Sequence, residues 1–240
     1  MPVGIVTGAS KGLGRELARS LADDGWSLVI DARGAEALEE ARSDLAARAG
    51  GAAVVAVQGD VASADHRVAL VEAASTLAST LGGLDLLVNN ASELGPSPLP
   101  ALADHPLDEL ERVYRVNVLA PLALAQLALP LLRARRGRIV NVSSDAAVEA
   151  YEGWGGYGSS KAALEQLTAV MAAEERDVRV YAVDPGDMRT AMHQAAFPGE
   201  DISDRKPPEA AVPGLRRLID GDEPSGRYRA DDLAPVEATP

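Results

Sequence analysis

Val3-Gly4-Ile5-Val6-Thr7-Gly8-Ala9-Ser10-Lys11-Gly12-Leu13-Gly14 runs from an apolar segment through a glycine-rich turn into a helical pattern. Val3 to Thr7 reads as a short buried strand. Gly12 to Asp24 reads as the helix after it, with Gly25 as its stop signal. Glycines between a strand and a helix let the backbone approach a pyrophosphate, which the helix N-terminus attracts. The spacing is Gly-x3-Gly-x-Gly, unlike the Gly-x-Gly-x-x-Gly of many dinucleotide sites, and alone it is weak evidence.

Working outward, the alternation continues. Strands are expected at Ser27–Asp31, Ala53–Val57, Leu84–Asn89, Arg138–Val142 and Val178–Val183. Helices are expected at Ala35–Ala49, Ala64–Leu81, Pro106–Arg136 and Gly156–Glu175. The strands are unbroken runs of Val, Ile, Leu and Ala without polar alternation, the pattern of a parallel sheet covered on both faces. The fold class is therefore α/β, a doubly wound parallel sheet of Rossmann type, as one domain over residues 1–240. Residues 184–208, rich in Pro, Gly and Asp, read as an irregular substrate loop. A helix over Pro208–Asp220 and a strand over Arg227–Arg229 would follow, with residues 231–240 a mobile acidic tail.

Composition narrows the function. The 240 residues suffice for one α/β core. A net charge of −13 argues against nucleic acid and anionic membrane as partners. The basic run Arg133, Arg135, Arg136 and Arg138 reads as a helix C-terminus with Gly137 as a left-handed cap. The absence of cysteine excludes disulfides and thiolate metal sites, and His66, His105 and His193 lack ligand spacing, so no metal is expected. No run of 18 apolar residues is free of charge or proline, so no membrane span is expected. The first strand begins too early to leave room for a signal peptide, and a cytoplasmic protein is expected.

Tyr157 and Lys161 stand four residues apart, on one face of the expected helix. An ammonium beside a phenol favours the phenolate and would lower the tyrosine pKa from about 10 toward working pH. Such a tyrosine can give or take a proton at a carbonyl or alcohol carbon. Asn89-Asn90-Ala91, Asn117, Ser143-Ser144 and Asp184-Pro185-Gly186 fall with it at one edge of the expected sheet.

Together these motifs resemble the short-chain dehydrogenase/reductase family, in its compact branch, over about residues 3–190. The shared features are Thr-Gly-x3-Gly-x-Gly, Asp60-Val61, Asn-Asn-Ala, Asn117, the serine, Tyr-x3-Lys and Pro185-Gly186. The family spacing of thirteen residues before the tyrosine selects Ser144 over Ser143. One departure is Ser92, where the family has glycine; it is expected to narrow the nicotinamide end without touching the proton-transfer groups. The resemblance implies that Tyr157 is the general acid or base, that Lys161 tunes it and holds the nicotinamide ribose, and that Ser144 holds the substrate oxygen. Asn117 is implied to position a water leading from Lys161 to solvent.

The resemblance also implies the coenzyme site: Gly8, Ser10, Lys11, Gly12, Leu13 and Gly14 in the turn, Arg33, Asp60 and Val61 toward the adenosine, and Asn90, Ala91, Ser92, Tyr157, Lys161, Pro185, Gly186, Met188 and Thr190 beyond. The position of the family's NAD-type acid falls at Ala32, and Arg33 and Lys11 supply two cations that suit a 2′-phosphate. NADP(H) is favoured. NAD(H) is the alternative if Asp31 reads the ribose hydroxyls. Candidates for the substrate pocket are Glu93, Leu94, Ala146, Trp154, Met192 and Phe197, with Trp154 either lining it or packing under the loop. Asp145, Glu149 and Glu152 read either as a preference for polar or cationic substrates or as solvated surface.

The expected activity is NADP(H)-dependent hydride exchange with a small carbonyl or secondary alcohol. The alternatives are an NAD-dependent alcohol dehydrogenase, a nucleotide-sensing regulator without turnover, and a lyase or epimerase of nucleotide sugars. A regulator would be expected to lack one of the four groups. A nucleotide-sugar enzyme needs more chain after the sixth strand. The family also forms homodimers and homotetramers through the two long helices. Leu119, Leu122, Leu164, Leu167 and Val170 are candidates for that face.

Overall fold

The structure is a computed structural model that describes residues 1–79 and 82–233. Seven strands form one parallel sheet: β1 (Val3–Val6), β2 (Ser27–Ala32), β3 (Val54–Gln58), β4 (Leu86–Asn89), β5 (Arg138–Val142), β6 (Arg179–Asp184) and β7 (Gly226–Arg229). Their order is β3-β2-β1-β4-β5-β6-β7, so the winding reverses between β1 and β4. Such a reversal opens a crevice at the carboxyl ends of the strands.

The helices α1 (Gly12–Asp23), α2 (Ala35–Arg48) and α8 (Val212–Asp220) cover one face, with Leu17, Leu21, Leu38 and Leu215 buried in its core. On the other face lie α3 (Ala64–Ala78), α5 (Ala120–Arg135) and α6 (Gly155–Glu174), with Leu70, Leu124 and Leu132 buried. Burying each such leucine contributes roughly 1.5–3 kcal/mol. Because both faces are covered, β1 and β2 are buried at every residue. That accounts for their continuous apolar sequence. The last two residues of the helix expected over Ala64–Leu81, 80 and 81, lie outside the described residues.

The long helix expected from Pro106 holds as one run from Leu107 to Arg135, but it is not uniform. It consists of α4 (Leu107–Tyr114), a π turn (Arg115–Leu119) and α5. By length and composition this run could cross a membrane. Here Leu124, Ala125, Ala128 and Leu132 pack it on the sheet. Arg136, with φ of 51°, takes the left-handed cap conformation expected of Gly137. Gly137 is needed for a different reason: a Cβ there would lie 2.8 Å from Leu132 and 2.9 Å from the carbonyls of Leu84 and Asp85.

The loop expected to be irregular contains a short helix, α7 (Ala191–Ala196). Thr190 caps it by accepting the amide of His193 at 3.2 Å. The expected mobile tail also begins with order. Ala230–Asp232 forms a 3-10 turn, and Asp231 pairs with Lys206. Residues 234–240 of that tail lie outside the described residues.

Candidate active site

The crevice is a cavity of about 650 Å³. The glycine turn forms its floor. Gly8 and Gly12 have φ of 66° and 58°, where a side chain is strained. A Cβ on Gly14 would come within 2.4 Å of Asn90 Nδ2 and 2.7 Å of the Gly8 carbonyl, so only glycine lets the turn close on Asn90. Asn90 Nδ2 donates to the Thr7 and Gly8 carbonyls at 2.8 and 3.2 Å. Thr7 Oγ1 accepts the amides of Asn90 and Ala91, both at 3.0 Å.

Asp31, the rival ribose reader, is buried and already engaged. Its Oδ1 accepts the Gly8 amide at 2.6 Å, and its Oδ2 lies 2.9 Å from His66 Nε2. The Asp31–His66 pair, 35 residues apart in sequence, was not foreseen. Arg33, one residue beyond β2, is exposed and on the cavity wall, as is Lys11. Asp60 and Val61 line the same end, with Asp60 Oδ1 accepting the Ala62 amide at 2.9 Å.

At the other end Tyr157, Lys161 and Ser144 share the cavity with Ser92, Leu94, Trp154 and Met192, while Glu93 reaches back to Arg33. Pro185, Gly186, Met188 and Thr190 close it from the β6 side. Ser143 Oγ donates to Glu165 at 2.6 Å, whereas Ser144 Oγ donates to Asp145 at 2.9 Å. Asp145 also accepts from Tyr151 at 2.9 Å, which ties this carboxylate into the site rather than leaving it as solvated surface. Trp154 lines the cavity and stacks edge-on against Tyr157, with ring centres 5.8 Å apart. Two expected pocket residues stand back from the wall. Ala146 and Phe197 pack with Leu94 and Tyr157 behind it, Phe197 against Trp154 at 5.9 Å.

Two expectations need correction. Burial pushes the Tyr157 phenol above its ordinary value instead of below it, and the Asp145 and Asp184 carboxylates add to the rise. Lys161 is buried too; its ammonium donates to the Val142 carbonyl at 2.8 Å and lies 5.5 Å from the centre of the Tyr157 ring. Loss of hydration pulls Lys161 down to about 8. Desolvation is the largest cause of both shifts.

Asn117, expected to lead a water from Lys161 to solvent, sits buried in the π turn. It accepts from Ser92 Oγ at 3.1 Å and from the Glu93 amide at 2.8 Å. It donates to the Glu93 carbonyl at 2.8 Å and to Ser160 at 2.9 Å. Second, Ser92 does reach the groups expected to move the proton. It bonds Asn117, and its hydroxyl, with that of Ser144, draws the Tyr157 pKa back down.

A family model described as short chain dehydrogenase matches residues 2–201. The chain is a short-chain dehydrogenase/reductase. It is accordingly an oxidoreductase. Sepiapterin reductase of Xenopus laevis is 33% identical to this dehydrogenase/reductase over 221 residues, covering 90% of this chain and 80% of that protein. An alcohol dehydrogenase from the archaeon Thermococcus sibiricus, solved with 5-hydroxy-NADP, superposes with a TM-score of 0.83 at 26% identity, covering 100% of this chain and 99% of that one. A short chain dehydrogenase from Escherichia coli CFT073, solved with NADPH, gives 0.85 at 31% identity over 95% and 96% of the two chains.

Proposed function

We propose that this short-chain dehydrogenase/reductase is an NADP(H)-dependent reductase of small carbonyl compounds, with Tyr157 as the proton donor. One observation carries the reading. Tyr157, Ser144 and Lys161 meet at one end of a cavity whose other end holds the exposed cations Lys11 and Arg33.

The residues present fit a dinucleotide phosphate. The turn lines the cavity from Gly8 to Leu13 and leads into the N-terminus of α1, a place that attracts a pyrophosphate. Arg33 offers a 2′-phosphate a planar fork, and Lys11 a point charge. Asp31 supports the same choice, because both its oxygens are engaged beneath the turn. Asp60, Val61, Asn90 and Ala91 would flank the adenosine, and Thr190, Met188 and Lys161 the nicotinamide side. When bound, the coenzyme supplies the hydride.

The chain's own residues handle the oxygen. A phenol whose pKa is raised by burial stays protonated at neutral pH, which is the form that donates to a carbonyl being reduced. Ser144 orients that oxygen and stabilises the charge that develops on it. The Lys161 ammonium, mostly charged below its pKa of about 8, supports the phenolate left behind. Trp154, Leu94 and Met192 form an apolar wall, so the substrate class is a small, largely apolar ketone or aldehyde. The relatives bound to NADP compounds and the reductase among them favour this reading.

The test is a panel of carbonyls and alcohols run with both coenzymes, following the absorbance of the reduced nicotinamide. Reduction of ketones with NADPH is expected. No turnover with any member, despite tight coenzyme binding, would leave the protein a nucleotide sensor.

A further inference from the structure

Arg33, one residue beyond β2, and Glu93, four residues beyond β4, meet on the cavity wall. Arg33 Nη1 donates to Glu93 Oε2 at 3.1 Å. Arg112 Nη2, from α4, stands 3.5 Å from the same oxygen. The two arginine side chains are 59% and 53% exposed, whereas that of Glu93 is only 20% exposed. The Glu93 peptide is also held on both sides by Asn117, which accepts its amide and donates to its carbonyl, each at 2.8 Å. The carboxylate is therefore the fixed member, and Arg33 is the long, solvated partner that comes to it.

We propose that Glu93 is an internal competitor for the coenzyme's phosphate, occupying Arg33 in the free protein and setting how strongly NADPH is preferred over NADH. The inference rests on the reading of Arg33 as the phosphate-binding group. Glu93 takes the Arg33 Nη1 donor, and a guanidinium that turns its fork onto a phosphate gives up that contact. Arg112 makes the exchange feasible. When Arg33 turns to the phosphate, Glu93 keeps a cation beside the same oxygen, and no carboxylate is stranded unpaired. Glu93 thereby subtracts from NADPH affinity and leaves NADH affinity alone, because NADH makes no claim on Arg33.

An exposed ion pair contributes about 0.2–1 kcal/mol, which converts to a factor of roughly 1.4 to 5. The experiment is a double-mutant cycle: NADPH and NADH titrated into wild type, Glu93→Gln, Arg33→Ala and the double variant at low and high salt. Glu93→Gln should tighten NADPH by up to about fivefold and leave NADH unchanged. The gain should vanish in the Arg33→Ala background and shrink as salt screens the pair. If Arg33→Ala weakens NADPH but Glu93→Gln does not tighten it, the competitor is wrong and the phosphate reading stands. A gain that survives without Arg33 also overturns the competitor. If Arg33→Ala leaves NADPH binding unchanged, the phosphate reading itself fails and the proposal falls with it.

Discussion

Lys161 gives its hydrogen bond to the Val142 carbonyl at 2.8 Å and stands 5.5 Å from the ring centre of Tyr157. The amine is 2% exposed. It is a buried cation whose hydration has not been fully replaced, and burial lowers its pKa from 10.5 to about 8.

Stability should report this directly. An amine whose pKa is depressed by folding binds fewer protons folded than unfolded between the two values, so its cost is full below about 8 and gone above 10.5. Lys161→Met removes that cost but strands the Val142 carbonyl, leaving a net gain of up to about 2 kcal/mol at pH 7. Urea unfolding at pH 7 and pH 10 measures it. The gain should shrink between those two pH values, and a variant less stable than wild type at pH 7 would contradict the account.

Catalysis should carry the same signature. Reduction should hold steady through neutral pH, where Tyr157 is protonated, and decline as pH rises through about 8 and Lys161 discharges. Lys161→Arg, with a guanidinium that stays charged, should flatten the decline even if the rate is lower throughout. A wild-type profile rising above pH 8 in the reductive direction would disagree.

Tyr157→Phe keeps the ring that packs on Trp154 and removes only the hydroxyl. Turnover should fall by about 10²–10⁴-fold, with coenzyme affinity nearly unchanged by fluorescence titration. Near wild-type turnover would take the phenol out of the mechanism.

Asp31→Ala separates the two readings of that carboxylate. As the acceptor of the Gly8 amide, Asp31 shapes the turn for any dinucleotide. Its loss leaves a buried donor unpaired, a cost of about 1–3 kcal/mol. Both coenzymes should weaken by similar factors in calorimetry, whereas loss confined to NADH would make Asp31 a ribose reader.

The candidates for an assembly face do not all point outward. Leu119 and Val170 are 56% and 44% exposed, but Leu164 is buried in the monomer at 2%. Leu127, 40% exposed, joins the outward residues. We expect a homodimer or homotetramer built through these helices, and Leu119→Glu with Leu127→Glu should lower the mass seen by light scattering. A wild type that is monomeric at micromolar concentration would refute it.

Most of the fold was legible because burial on both sheet faces writes itself into contiguous apolar strands, and glycine stops mark the helix ends. The cluster of Tyr157, Lys161 and Ser144 was legible because motif spacing survives in sequence. What was not legible depends on contacts between distant side chains. Nothing local to Asp31 announces His66, and nothing local to Glu93 announces Arg33 and Arg112. The left-handed residue fell on Arg136 because Gly137 was needed where β5 begins, close against Leu84 and Asp85. The rise in the Tyr157 pKa was missed because spacing reports proximity to Lys161 and not the loss of water around both groups.

The π turn at Arg115–Leu119 gives the helix from Leu107 to Arg135 a change of phase. Each residue of an α-helix turns it by about 100°. Deleting one residue there, such as Val118, would restore an even pitch and swing Asn117 round by about that angle relative to α5. Leu124 and Leu132 would keep their seats on the sheet while Ser92, Glu93 and Ser160 lost their common partner. The packing half of this helix can trade one side chain for another at the ordinary cost of a cavity, but its length is not negotiable: a single-residue insertion or deletion upstream of Ala120 would leave α5 seated on the sheet while it displaced the buried Val113 and Val116 and took the cavity wall apart.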